Sequence, residues 1–295
     1  MSNTKLTGLG VAMVTPFDAA GNVDLEALKR LTEFLINGGV DYLVVQGTTG
    51  ESPVLSKSEK QQTLDTVAAV NNGRLPIVFG IGGNNTMALV DDLNHYDLSA
   101  VDAILSASPY YNKPTQDGIY EHYKVLASHT ELPIILYNVP GRTASNILPA
   151  TTLRLANDFD NIIAVKEASG DMEQIMNLIQ NKPEGFLVIS GDDAITLPII
   201  ATGGDGVISV VGNGFPSQFK AMVKAAMNND MVNARAAHYK VLPIINHLFA
   251  EGNPAGIKEV LAYLDIMEAH LRLPLVNISA ARKTTIIELT KLINK

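Results

Sequence analysis

Short apolar runs recur along the chain at intervals of about 20 to 35 residues, at 10–14, 42–45, 77–79, 103–105, 134–137, 162–165, 187–189 and 207–211. Between most of them lie segments with helical periodicity. Residues 24–36 place Leu25, Leu28, Leu31 and Leu35 on one side. Ser56-Lys57-Ser58-Glu59 has the reciprocal pattern of a helix-opening capping box, and Thr86 and Asp171 are expected as N-caps of two further helices. Near-continuous apolar strands alternating with amphipathic helices indicate a parallel sheet covered on both faces. Eight such units indicate a closed (β/α)8 TIM barrel. An open doubly wound sheet is the alternative, but no Rossmann glycine fingerprint accompanies it.

After Val211 the strand signals stop. Residues 217–229, 232–251, 254–265 and 279–294 read as helices, with a loop at 271–275. The chain thus divides near residue 228 into a barrel, 1–228, and a C-terminal helical region, 229–295. These helices carry more apolar surface than a lone hairpin could hide, so they pack on the barrel or on another subunit.

Composition narrows the function classes. The chain has 295 residues, 46% of them hydrophobic and 18% charged, as expected of a globular protein with a large core. A net charge of −8 without a basic cluster argues against nucleic acid. There are no cysteines, which removes disulfides, thiolate metal sites and cysteine nucleophiles. No apolar run reaches membrane-spanning length, and the stretch behind Met1-Ser2-Asn3-Thr4-Lys5 lacks the core of a signal peptide. A cytoplasmic protein without membrane partners is expected. The six histidines, His95, His122, His129, His238, His247 and His270, fall in or at the ends of expected helices without metal-ligand spacing, so no metal is expected.

Candidate chemistry centres on Ile162-Ile163-Ala164-Val165-Lys166-Glu167-Ala168-Ser169-Gly170-Asp171. Strand alternation places Ile162, Ala164 and Lys166 on one face, and Ile163 and Val165 on the other. An amine carried to the mouth of an apolar interior is disfavoured as a cation, which is how a lysine becomes able to form an imine with a carbonyl. The bland reading is a strand-end lysine that reaches water or a carboxylate. The other strand ends supply Thr15-Pro16-Phe17, Gly47-Thr48-Thr49-Gly50-Glu51-Ser52, Gly80-Ile81-Gly82-Gly83-Asn84, Tyr110-Tyr111-Asn112, Tyr137-Asn138-Val139-Pro140-Gly141-Arg142-Thr143, Ser190-Gly191-Asp192-Asp193 and Ile208-Ser209-Val210. Taken singly, each has an ordinary explanation as turn or rim chemistry. In a TIM barrel all of them share the end where active sites sit.

Three of these stretches, in this order and spacing, carry a resemblance: Gly47-Thr48-Thr49-Gly50-Glu51, Tyr137-Asn138-Val139-Pro140-Gly141-Arg142-Thr143 and Val165-Lys166-Glu167-Ala168-Ser169-Gly170-Asp171. They resemble the pyruvate-dependent class I aldolases of the dihydrodipicolinate synthase and N-acetylneuraminate lyase family. The likeness covers essentially the whole chain, including Tyr110-Tyr111-Asn112 and the helical tail with Asn253-Pro254. Gly141-Arg142-Thr143 matches the synthase branch, whose arginine binds the carboxylate of aspartate semialdehyde. An arginine fits that task, because its planar fork can grip a carboxylate bidentately.

The resemblance implies a Schiff-base enzyme condensing pyruvate with L-aspartate 4-semialdehyde to 4-hydroxy-tetrahydrodipicolinate, on the diaminopimelate route to lysine. It implies no cofactor beyond the covalent imine on Lys166. Tyr137 would be the acid/base beside it, and Thr48 would link Tyr137 to Tyr111 in a hydroxyl relay, with Tyr111 supplied by a neighbouring subunit. Thr49 would hold the pyruvate carboxylate, the carbonyl of Ile208 would orient the substrate, Arg142 would hold the second substrate and Gly191 would line the pocket. The family is commonly a homotetramer. Many of its members are inhibited by lysine through histidines soon after the Thr-Thr-Gly-Glu motif and a glutamate on the next helix. The matching positions here are Lys57, Lys60 and Ala88, so weak or absent lysine inhibition is expected. The competing functions are a lyase releasing pyruvate from a sialic or keto-deoxy sugar acid, and a non-catalytic small-molecule-binding barrel.

Overall fold

The structure is a computed structural model and describes residues 3–294. Eight strands, β1 (Gly8–Ala12), β2 (Tyr42–Val45), β3 (Ile77–Gly80), β4 (Ala103–Ala107), β5 (Ile134–Asn138), β6 (Ile162–Glu167), β7 (Leu187–Ser190) and β8 (Gly206–Ser209), pair in parallel and in chain order. β8 closes on β1 through Gly8↔Gly206 to Val11↔Ser209. The expected (β/α)8 barrel is therefore the fold, and closure leaves the sheet no exposed edge.

Two apolar layers follow from the strand period. Tyr42, Val44, Val78, Leu105, Ile135, Ala164, Ile189 and Ile208 fill the barrel interior. Leu9, Val11, Leu43, Val45, Phe79, Leu136, Val165 and Val188 face outward, under the helices. Close packing constrains the interior sharply at Gly10, where an added Cβ would fall 2.1 Å from the Tyr42 ring.

Simple alternation fails at one residue of β6. The β5–β6 register jumps from Ile134↔Ile162 to Ile135↔Ala164, leaving Ile163 as the extra residue. Ile162 accordingly packs in the outer layer and Ile163 in the interior, the reverse of the expected placement. From Ala164 onward the alternation resumes and carries Lys166 to the inner face.

Strand ends also differ from the apolar runs. β1 begins and ends two residues before its run, because the Asn213 side chain takes over at its end: Nδ2 donates to Ala12 O (2.8 Å) and Oδ1 accepts from Val14 N (3.2 Å). Val211, expected at the end of β8, instead opens a helical turn, Val211–Asn213, and packs outward.

Asp24 caps the helix Leu25–Asn37, and Ser56 with Glu59 forms the full capping box of Lys57–Asn71. Asp171 caps Met172–Asn181 by accepting from Glu173 N and Gln174 N. Thr86 is not a cap. Asn85 takes that place, its Oδ1 accepting from Ala88 N, and Thr86 is the first helical residue, its hydroxyl bonded to His122.

The C-terminal helices, Met231–Phe249, Ala255–Tyr263 and Ala280–Ile293, follow the barrel helix Pro216–Met227. Val241, Ile244, Ile257, Val260 and Ile286 join the same apolar cluster as the outer barrel layer, so the core runs continuously from one region into the other. The segment 271–275 is free of helix and strand, as expected.

His122 lies buried between helices, with Nδ1 2.8 Å from the Thr86 hydroxyl, and burial lowers its pKa from 6.5 to about 4. The unfolded chain takes up this proton near pH 6.5 and the folded one only near pH 4. Stability from this group is therefore complete above the unfolded value and lost as the pH falls through the window between them. Urea unfolding at neutral pH and near pH 5 should show the wild type losing about 2 kcal/mol more than His122→Gln. Equal losses in the two proteins would contradict this assignment.

Candidate active site

β5 and β6 lie in register at their C-terminal ends, pairing Tyr137 with Lys166 and Asn138 with Glu167. This pairing sets Lys166 Nζ 4.2 Å from the centroid of the Tyr137 ring. Lys166 is only 5% exposed, and among the described residues no carboxylate stands within ion-pair distance of it. The bland reading of a strand-end lysine paired with an acid or reaching into water does not describe it. Gly191, after β7, leaves room for its stem: a Cβ there would meet Lys166 Cε at 3.1 Å and Ala168 Cβ at 2.8 Å. Gly191 N also donates to Glu167 O (2.7 Å), which fixes this turn against β6.

The Tyr137 side of this cluster lines a cavity of about 480 Å3, while Lys166 and Gly191 are not among its lining residues. Thr48, Lys60, Tyr110, Tyr137, Arg142 and Thr143 are among its lining, and no carboxylate is. It presents two cationic side chains to whatever enters, so anionic ligands suit it. The sequence reading thus finds Thr48, Tyr137 and Arg142 around one cavity, with Gly191 against Lys166. Ile208 stands in the barrel interior on β8, opposite Gly10.

Tyr111 stands apart. It is 87% exposed and has a φ of 73°, a left-handed conformation that bulky side chains rarely adopt. Within its own chain it does not line the cavity.

The Thr48–Gly50 turn is held from behind. Thr15 Oγ1 donates to Gly50 O (2.6 Å), and Asn253 Nδ2 donates to Thr49 Oγ1 (3.0 Å). Lys258, fully buried on the helix Ala255–Tyr263, pairs with Glu51 at 2.6 Å and donates to His270 O. Burial lowers the Lys258 pKa to about 8, against the opposing pull of Glu51. Arg272 adds its backbone N–H to Glu51 (3.2 Å) and its guanidinium to Glu59 (2.5 Å). Sequence reasoning noted Asn253 only as part of a tail motif and missed the Lys258–Glu51 pair altogether. A lysine and a glutamate 207 positions apart leave no periodic trace.

A second network underlies β5 and β6. Buried Glu167 accepts from Asn138 Nδ2 on both oxygens (3.1 and 3.0 Å), from Ser169 N (2.8 Å) and from Gln174 Nε2 (3.0 Å). Among the described residues no three His, Asp or Glu side chains gather as a metal-binding group, and no helix is long and apolar enough to cross a membrane.

Comparison with known proteins agrees with this geometry. Residues 5–293 match the model of the dihydrodipicolinate synthetase family. The 4-hydroxy-tetrahydrodipicolinate synthase of Flavobacterium psychrophilum is 53% identical over 288 residues, covering 98% of each chain. The crystal structure of dihydrodipicolinate synthase from Aquifex aeolicus superposes with a TM-score of 0.94 at 39% identity, covering 98% of each chain. That from Thermotoga maritima gives 0.95 at 37% identity, again covering 98% of each. A buried, acid-free lysine beside a tyrosine at the rim of a (β/α)8 barrel thus occurs in a chain that belongs to the dihydrodipicolinate synthetase family.

Proposed function

We propose that the chain is a 4-hydroxy-tetrahydrodipicolinate synthase, condensing pyruvate with L-aspartate 4-semialdehyde through an imine on Lys166. The observation that carries this reading is the Lys166 amine, enclosed and without a carboxylate, against the ring of Tyr137, which itself lines a cavity together with Thr48 and Arg142.

The chemistry follows from those groups. The neutral amine of Lys166 adds to the keto carbon of pyruvate, and the oxygen departs as water after protonation, leaving an iminium. The iminium draws electrons from the adjacent methyl, which loses a proton to give an enamine. The enamine carbon attacks the aldehyde carbon of the second substrate, and the new alkoxide takes a proton. The substrate's own amine then adds to the iminium carbon and displaces Lys166, closing a six-membered ring and freeing the enzyme. Tyr137, whose ring lies against the amine, suits these proton transfers, a role typically worth about 10²- to 10⁴-fold. Thr49 and the turn that carries it suit the pyruvate carboxylate, the carbonyl of Ile208 suits substrate orientation, and Arg142 suits the distal carboxylate. The imine itself serves as the electron sink, so the cycle uses no metal or organic cofactor.

Tyr111 supports an oligomer. An exposed tyrosine held in a strained conformation at the rim of its own barrel suits insertion beside Thr48 and Tyr137 of a second copy, completing a hydroxyl relay there. We take the assembly to be a homotetramer built from such dimers, and the setting to be cytoplasmic.

Arg142 makes no ion pair with the described residues and is free for a ligand. Consumption of pyruvate with aspartate semialdehyde, against pyruvate release from sialic or keto-deoxy sugar acids, tests the function directly. The synthase reading expects turnover only in the first assay, and release from a sugar acid with no synthase turnover would overturn it. In the synthase assay, Arg142→Ala should raise KM for aspartate semialdehyde by roughly 10- to 150-fold, the loss of one charge-assisted contact, with KM for pyruvate nearly unchanged.

Lysine should not regulate this enzyme strongly. Lys57 is tied to Asp92 at 2.6 Å, Lys60 adds a second cation at the cavity, and Ala88 offers no carboxylate for a cationic ligand. Initial rates should stay flat as lysine is raised to millimolar levels; strong inhibition below millimolar would contradict this.

A further inference from the structure

The Arg142 side chain forms no hydrogen bond or ion pair within the described chain, so its aim depends on the backbone beneath it. That backbone runs from Asn138 at the end of β5, through the single helical turn Pro140–Thr143, to Ile147. Both ends of the loop are fastened by one buried side chain. Asn138 Oδ1 accepts from Ile147 N (2.9 Å), and Asn138 Nδ2 donates to Asn146 Oδ1 (2.8 Å). Asn146 continues outward to Gln174 (2.8 Å), and its carbonyl accepts from Gln116 (2.8 Å), which also takes Leu148 N and the Thr151 hydroxyl.

An amide can face either way, and only its partners decide which. Here two partners agree: Ile147 N, which can only donate, and Glu167, 1% exposed and without a cation in ion-pair range among the described residues. An ionised carboxylate only accepts. Placed against Asn138 Nδ2 at 3.0 and 3.1 Å, it forces the amide nitrogen toward β6 and the amide oxygen toward Ile147 N. Ser169 N and Gln174 Nε2 supply the remaining donors that keep such a charge tolerable in the interior. A buried carboxyl group satisfied by three N–H donor groups, with no cation, is costly to keep for packing alone.

We infer that Glu167 and Asn138 act together as a positioning pair for the second substrate: the carboxylate sets the polarity of the Asn138 amide, and the amide holds the loop that aims Arg142. Lys166 sits on the opposite face of β6 and does not touch this network, so imine formation with pyruvate is left alone. The inference rests on the reading of Arg142 given above.

Steady-state kinetics on Glu167→Gln separate the alternatives. Asn138 Nδ2 lies within 3.1 Å of both carboxyl oxygens, so the substituted amide nitrogen would face it in either orientation, and Asn138 must turn away from Ile147 or meet donor against donor. KM for aspartate semialdehyde should rise about tenfold, the consequence of an unsatisfied buried contact, while KM for pyruvate stays within about twofold. Exchanging the two chemistries, Glu167→Gln combined with Asn138→Asp, again places acceptor against donor and should bring KM back to within about threefold of the wild type. Should Glu167→Gln fail to fold, Asn146→Ala removes only the half-buried outer link and should shift the same constant in the same direction by a smaller factor. Equal shifts for both substrates, no shift for either, or a double variant no better than the single would overturn the inference. A raised constant in Arg142→Ala beside an unmoved one in Glu167→Gln or Asn146→Ala would sink the inference alone. An unmoved constant in Arg142→Ala would sink the reading of Arg142, and the inference with it.

Discussion

In the proposed mechanism everything depends on keeping one amine, that of Lys166, away from acids. A carboxylate beside Lys166 would hold it as an ammonium and remove its lone pair. The chain has 30 acidic residues, yet among the described residues none lies within ion-pair range of Lys166 and none lines the cavity beside Tyr137. The acids nearest in sequence are turned to other work. Glu167 follows Lys166 directly, but strand alternation sends it to the opposite face, where Asn138, Ser169 and Gln174 satisfy it. Glu51 follows the Thr-Thr-Gly turn and is tied down by Lys258. The barrel thereby presents cations and hydroxyls inward at its mouth and keeps its anions behind the walls.

The C-terminal region takes part in that arrangement. Asn253 reaches the hydroxyl of Thr49, and Lys258 and Arg272 hold Glu51. Because Lys258 is buried with a single carboxylate partner, removing either member would leave a lone charge in the interior, which costs more than the pair contributes. The Thr48–Gly50 turn and the Glu51 that follows it are thus held by residues more than 200 places later in the chain. The helices after the barrel serve the catalytic end as well as the outer core.

The strands were legible because each is buried on both faces and so reads as an unbroken apolar run. Caps at Asp24, Ser56 and Asp171 were legible because capping is local chemistry. Thr86 misled because Asn85, one place earlier, competes for the same role and wins. Ile162 and Ile163 were misplaced because a bulge shifts the phase of a strand without altering its composition. Thr48, Tyr137 and Arg142 line one cavity, with Lys166 against the Tyr137 ring, because barrel topology brings strand ends together, whatever their separation in the chain. The Glu51–Lys258 pair and the Glu167–Asn138–Asn146 network were invisible beforehand. Such pairings depend on which side chains meet across elements, and no local pattern encodes them.

Reduction of the protein with borohydride in the presence of pyruvate, followed by mass analysis of its peptides, tests the central claim most directly. The account predicts that the peptide containing Lys166 gains the mass of pyruvate less water plus two hydrogens, and that Lys166→Ala gains nothing. No adduct, or an adduct on Lys60, the lysine that lines the cavity, would contradict it.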